Sequence, residues 1–194
     1  RKGHFYTETD VARPVNAYGS SKLAGELAVL EEDTNALVIR TSGVFGPELQ
    51  GKNFVYQLRR TLLQGQKMQC ATDAYGCPTY SRDLAALTVG LLGTGVSGTF
   101  HCVGNLCLSR YEFATRIATC WGLDTSCLEG KESREIYLES MQKLGFAATR
   151  GKYFGLSISK LQGVLPGFRL RGIEEALLDW KTNPLRAEYM FSPR

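Results

Sequence analysis

The run Ala36-Leu37-Val38-Ile39-Arg40 constrains the fold most. It is a short apolar stretch that ends abruptly in Thr41-Ser42-Gly43, which reads as a buried strand with polar groups and glycines crowding its carboxyl end. Before it, Leu23, Ala24, Leu27, Ala28 and Leu30 form an apolar stripe at helical spacing, with Pro14 and Asn16 at the entry and cap and Lys22 and Glu26 placed as an i,i+4 pair. A helix of about four turns therefore feeds the strand. Elements then alternate: a helix from Asn53 to Leu63, a short strand from Lys67 to Ala71, a turn-rich loop from Thr72 to Thr79, a helix from Arg82 to Leu92 and a strand from Gly98 to Val103. Ser109 with Glu112 reads as a capping box opening a helix from Arg110 to Trp121. The last third is less regular: Lys131 to Leu144 is helical over part of its length, Ser159-Lys160-Leu161 marks a small helix, and Gly172 to Lys181 an amphipathic closing helix, with a loose tail after Pro184. This is an α/β pattern, and in open α/β sheets ligands gather at the carboxyl ends of strands.

Chemistry concentrates in Tyr18-Gly19-Ser20-Ser21-Lys22. A tyrosine and a lysine four apart share one helix face. An ammonium beside a phenol stabilises the phenolate and draws its pKa down from about 10, which suits the pair to proton transfer. Three donors on the ammonium also suit it to sugar hydroxyls. The plainer reading of a bare Tyr-x-x-x-Lys is an exposed pair on an amphipathic helix.

The chain resembles the extended short-chain dehydrogenase/reductase family, and within it the dTDP-4-dehydrorhamnose reductases. The resemblance rests, in order, on Glu8-Thr9-Asp10 with Pro14, the run from Tyr18 to Glu26, Arg40-Thr41-Ser42 with Val44 and Gly46, Gly51-Lys52-Asn53-Phe54-Val55, Asp73 with Gly76, Pro78 and Thr79, Arg82-Asp83-Leu84-Ala85, and Gly98-Thr99-Phe100-His101. It implies the carboxyl-terminal part of a Rossmann-like parallel sheet, residues 1–45 and 80–105, with a small α/β substrate-binding region, residues 46–79 and 106–194. It implies NADPH or NADH as cofactor and reduction of a nucleotide-linked 4-keto sugar. Tyr18 would be the proton donor, Lys22 the partner on the nicotinamide ribose, and Thr41 and Ser42 further cofactor contacts. Gly43, Asn53, Pro78, Thr79 and Arg150 would face the substrate. Read without the family, Gly76 and Pro78 shape a turn, and Arg150 is either a diphosphate grip or a surface arginine. The family's upstream Ser or Thr has no counterpart here, nor has its glycine-rich pyrophosphate turn. The expectation is a carboxyl-terminal piece whose sheet keeps an open edge and an uncovered apolar face, prone to self-association.

Three departures lie in the implied substrate pocket: Gly43 for a tryptophan, Ala74 for a glutamine, and Gly151 for a proline after the arginine. They keep two alternatives open. One is another sugar-nucleotide enzyme, an epimerase or dehydratase. The other is a non-catalytic regulatory partner, since the β subunit of methionine adenosyltransferase resembles these reductases.

Composition narrows the class further. The 194 residues are 43% hydrophobic and 22% charged, with a mean hydropathy of −0.17 and no apolar run near the ~20 residues a membrane span needs. The expected location is cytoplasmic. The net charge of +4 is scattered, which argues against nucleic acid and suits a sugar diphosphate. Cys70, Cys77, Cys102, Cys107, Cys120 and Cys127 form no CxxC pair, and His4 and His101 complete no metal-ligand spacing. The cysteines read as reduced and structural, with Cys102 and Cys120 as small hydrophobes, and His101 as a core or strand-end residue.

Overall fold

The computed structural model describes residues 5–145 and 148–184. The expectation of a loose tail after Pro184 and the sequence reading of His4 lie outside them. Strand β1 (Leu37–Arg40) pairs in parallel with β6 (Gly98–His101), and β2 (Val44–Phe45) with β5 (Thr79–Tyr80). A third parallel pair joins β3 (Met68–Ala71) to β8 (Leu128–Lys131). The remaining sheet runs β7-β4-β9, with β4 (Tyr75–Gly76) antiparallel to β7 (Leu108–Ser109) and parallel to β9 (Tyr153–Phe154). The helices are α1 (Ala17–Glu32), α2 (Phe54–Leu63), α3 (Ser81–Thr94), α4 (Arg110–Trp121), α5 (Ser133–Leu144), α6 (Ser159–Val164) and α7 (Ile173–Thr182). The chain is thus mixed α/β with parallel strand pairing.

Local chemistry explains most boundaries. The Asn16 side chain accepts from the Gly19 N–H to start α1, and Ser109 and Glu112 form the full capping box on α4. Helices α3, α4 and α5 stop at Gly95, Gly122 and Gly145, each left-handed.

Two clusters make the core. The larger gathers Phe45, Val55, Leu58, Leu62, Phe113, Ile117, Leu177 and Trp180 from β2, α2, α4 and α7. The smaller sets Leu87, Leu91, Phe100, Cys102 and Leu161 between α3, β6 and α6. Each fully buried side chain of this size contributes about 1.5–3 kcal/mol. Helix α6, which the sequence reading assigns to the substrate region with the rest of 106–194, packs against β6 and α3 and so belongs physically to the β1/β6 layer.

Several expectations change. The apolar stripe of α1 is not buried: no residue of that helix is, and Leu27 remains 58% exposed. The i,i+4 pairing of Lys22 with Glu26 gives way to a longer-range bond, because Arg40 at the end of β1 takes both Glu26 oxygens, at 2.9 and 2.5 Å. The forked guanidinium matches a carboxylate better than an ammonium does. The 72–79 segment is not plain loop, since it carries β4 and the start of β5. Strand β8 escapes the sequence reading because Leu128-Glu129-Gly130-Lys131 has no strand pattern of its own; its glycine lets it approach Thr72 and Tyr111, where a Cβ would lie 2.9 Å from the Thr72 methyl.

Asp83 is 2% exposed, accepts from the Arg171 backbone N–H at 2.9 Å and pairs with its guanidinium, tying α3 to the approach to α7. Asp83→Ala leaves this contact unmade and should cost about 2–3 kcal/mol, lowering Tm by on the order of 5–10 °C in thermal unfolding. An unchanged Tm would show that the pair does not hold α7.

Candidate functional site

Helix α1 presents Tyr18 and Lys22 together. Tyr18 is 72% exposed, and the Lys22 ammonium lies 5.7 Å from the centroid of its ring. Among the described residues no carboxylate pairs with Lys22, so its charge stays available beside the phenol. Two anchors fix this helix. One is the Glu26–Arg40 fork to β1; the other is the Asn16 side-chain amide, which donates to the Thr149 carbonyl at 2.8 Å. The second anchor brings the start of α1 beside Arg150, 134 positions away from Asn16 in number.

A second group forms where β1 leads into β2. Thr79 is fully buried; its hydroxyl donates to the Ser42 carbonyl at 2.7 Å and accepts from the Gly104 N–H at 3.2 Å, and its backbone N–H donates to the Gly43 carbonyl at 3.3 Å. Gly43 has φ +55°, and a Cβ there would lie 3.5 Å from the Pro78 Cα. A tryptophan rarely adopts that backbone conformation, so this loop is built around glycine. Ser42, Gly43, Pro78 and Thr79 are therefore brought together, with Thr41 exposed beside them. The Asn53 side chain accepts from the Val55 and Tyr56 N–H groups to cap α2 and donates to the Gly46 carbonyl. Thr79 and Pro78 are likewise buried and shape the loop rather than its surface.

Sequence reasoning missed Arg110. It was legible only as the residue after the Ser109 cap, a helix-start position with no chemistry attached. In the fold its guanidinium lies 4.3 Å from the Phe54 ring centroid. Burial, and then the charge of Arg150, push its pKa below the usual arginine value. Neither arginine has a carboxylate partner among the described residues. Gly151 follows Arg150 for a local reason: a Cβ there would sit 3.0 Å from the Phe154 ring.

Asp73 braces the same region. Burial opposes its charge, but Lys152 at 2.5 Å and the Ser133 N–H and hydroxyl hold its pKa down to about 2, from 3.8. His101 is buried, with its backbone N–H on the Glu8 carboxylate at 2.9 Å and its Nδ1 3.2 Å from the Ser157 carbonyl, and burial lowers its pKa. It is a strand-end core residue as expected. No group of His, Cys, Asp or Glu able to hold a metal ion exists among the described residues, and no described helix is long and apolar enough to cross a membrane.

The substrate-binding domain model of the RmlD family matches residues 1–181, and the chain belongs to that family. It is 38% identical over 125 residues to a dTDP-4-dehydrorhamnose reductase of Burkholderia thailandensis, covering 60% of this chain and 41% of that protein. It is 31% identical over 183 residues to methionine adenosyltransferase 2 subunit beta of Rattus norvegicus, covering 89% of this chain and 52% of that one. The crystal structure of the Bacillus anthracis dTDP-4-dehydrorhamnose reductase in complex with NADP superposes with a TM-score of 0.79 at 30% identity, over 92% of this chain and 59% of that one. The chain thus spans about half the length of the relatives it matches.

The folded pKa of Asp73 lies below its unfolded value, so its contribution to stability is complete above pH ~4 and disappears as pH falls toward 2. The Tm difference between the native chain and Asp73→Asn should be constant above pH ~5 and shrink over that acid window. A difference independent of pH would mean the bracing is not ionic.

Proposed function

We propose that this chain is the catalytic-helix and substrate-binding portion of a nicotinamide-dependent reductase acting on a nucleotide-linked 4-keto sugar. The observation that carries the reading is the exposed Tyr18 with the Lys22 ammonium 5.7 Å from its ring centroid. The family and the NADP-bound structural relative support it.

In this reading Tyr18 donates its phenolic proton to the keto oxygen of the sugar. The Lys22 charge favours the phenolate left behind. Bound nicotinamide, as NADPH or NADH, supplies the hydride. Lys22 offers its remaining N–H donors to the ribose hydroxyls, and Thr41 and Ser42 lie at the strand end where a cofactor passes. The donor-rich, uncovered face of α1 fits that role. Arg110 and Arg150 take the diphosphate of the substrate, and Gly43 opens room beside the sugar. Pro78, Thr79 and Asn53 act by holding the loops in place. Residues 1–45 and 80–105 serve the cofactor, and 46–79 and 106–194, apart from α6, the substrate.

A second reading rests on one observation: the chain is similar to methionine adenosyltransferase 2 subunit beta over 89% of its length. In that reading the chain serves a catalytic partner and turns over no sugar.

In the protein that carries this chain, Tyr18→Phe should lower turnover roughly 10²–10⁴-fold with cofactor affinity nearly unchanged. Turnover retained by that variant would remove Tyr18 as the acid, and no turnover in the unaltered protein would favour the partner reading. Arg110→Ala combined with Arg150→Ala should raise KM for the nucleotide sugar by at least tenfold while leaving NADPH binding intact. An unchanged KM would move the diphosphate elsewhere.

A further inference from the structure

Strands β4 and β7 bring two cysteines face to face. The antiparallel register sets Tyr75 opposite Ser109 and Gly76 opposite Leu108, so the next step along both chains places Cys77 opposite Cys107. The hydrogen bonds say which kind of pair this is. The Arg110 N–H donates to the Ala74 carbonyl at 3.1 Å, which makes 74/110 a hydrogen-bonded pair, while the Tyr75 N–H turns away to the Lys152 carbonyl at 2.8 Å. Alternation then makes 77/107 a non-hydrogen-bonded pair, the kind whose Cα atoms lie ~4.5 Å apart and whose side chains are closest. That separation falls within the ~4.4–6.8 Å a disulfide spans. Burial first, and to a smaller extent the neighbouring Cys107, push the Cys77 thiol up, as expected of two side chains on one face of the strand pair. All six cysteines are free, and these two differ in access: Cys77 is 1% exposed, whereas Cys107 is only partly covered.

We propose that Cys77 and Cys107 form a reversible peroxide-sensitive disulfide that clamps the loop carrying Pro78 and Thr79 to the 104–107 turn. The more accessible Cys107, as thiolate, attacks one oxygen of hydrogen peroxide; the O–O bond breaks, and the departing hydroxide leaves as water after taking a proton. Cys107 is then a sulfenic acid. The Cys77 sulfur attacks the Cys107 sulfur, the S–O bond breaks, and the hydroxyl leaves with the Cys77 proton as a second water. Two thiols are oxidised by two electrons and one peroxide is reduced. Burial pushes the Cys77 thiol up to about 11, so the second step accelerates as pH rises.

The clamp would bear directly on the candidate pocket. Thr79 already ties the Ser42 and Cys77 carbonyls to the Gly104 N–H, and a Cβ on Gly104 would strike the Pro78 carbonyl. A covalent bond at 77/107 would fix both ends of the turn that this network holds at one.

The test is a peptide map. The reduced chain is exposed to a small excess of hydrogen peroxide, its remaining thiols are alkylated, and it is digested without reductant. The proposal expects loss of two of its six thiols, an intramolecular Cys77–Cys107 peptide, and a Tm rise on the order of 10 °C that dithiothreitol reverses. With Cys77→Ala the sulfenic acid should persist on Cys107 and react with dimedone; with Cys107→Ser the thiol loss and the Tm rise should both vanish. A different pair, an intermolecular disulfide, Cys107 carried on to sulfinic acid while Cys77 stays reduced, or no thiol loss at all would overturn it. The map on the unaltered chain decides even if a variant fails to fold.

Discussion

The Thr79 hydroxyl is the contact on which the rest of the site depends. It is fully buried and joins the ends of three separate segments, at the Ser42 carbonyl, the Cys77 carbonyl and the Gly104 N–H. A buried hydroxyl left unpaired would cost about 1–3 kcal/mol, so the three segments cannot drift apart without penalty. Around this node β2 pairs with β5, Gly43 turns back on Pro78, and β4 is set between β7 and β9. The surface that would meet a substrate is thus a by-product of buried polar bonding.

Helix α1, which carries Tyr18 and Lys22, is held differently. None of its residues is buried, and α1 is tied down by polar contacts at its cap and in its body, the Asn16 amide on Thr149 and the Glu26 fork on Arg40. Such fastening leaves Tyr18 and Lys22 projecting from a face that the described residues do not cover.

Much of this was legible in the sequence because the signals were local. The Asn16 cap, the Ser109–Glu112 box, the strand at Leu37–Arg40 and the Tyr18–Lys22 spacing all act within a few residues, where propensity and hydrogen bonding are decided by neighbours. What escaped was non-local. Glu26 looked like a partner for Lys22 until Arg40 offered a better fit from the next strand. Residues 128–131 lacked a strand pattern and became one only by pairing with β3. Arg110 acquired meaning only when folding set it beside Arg150 over the Phe54 ring. Asn53 and Thr79, singled out as substrate residues, also hold the scaffold through bonds that no local pattern announces, to the Gly46 carbonyl and to the Ser42 carbonyl and Gly104 N–H.

The central claim is that the protein carrying this chain transfers hydride outward to a sugar with Tyr18 supplying the proton. The most direct measurement uses NADPH carrying deuterium at the transferred position and a nucleotide-linked 4-keto sugar, with the product read by mass spectrometry and NMR. The account predicts one deuterium on C4 of the product sugar for each NADPH oxidised. An unlabelled product with no net NADPH consumption would point to an epimerase or dehydratase cycle, and an unreacted sugar to a non-catalytic partner; either would contradict it.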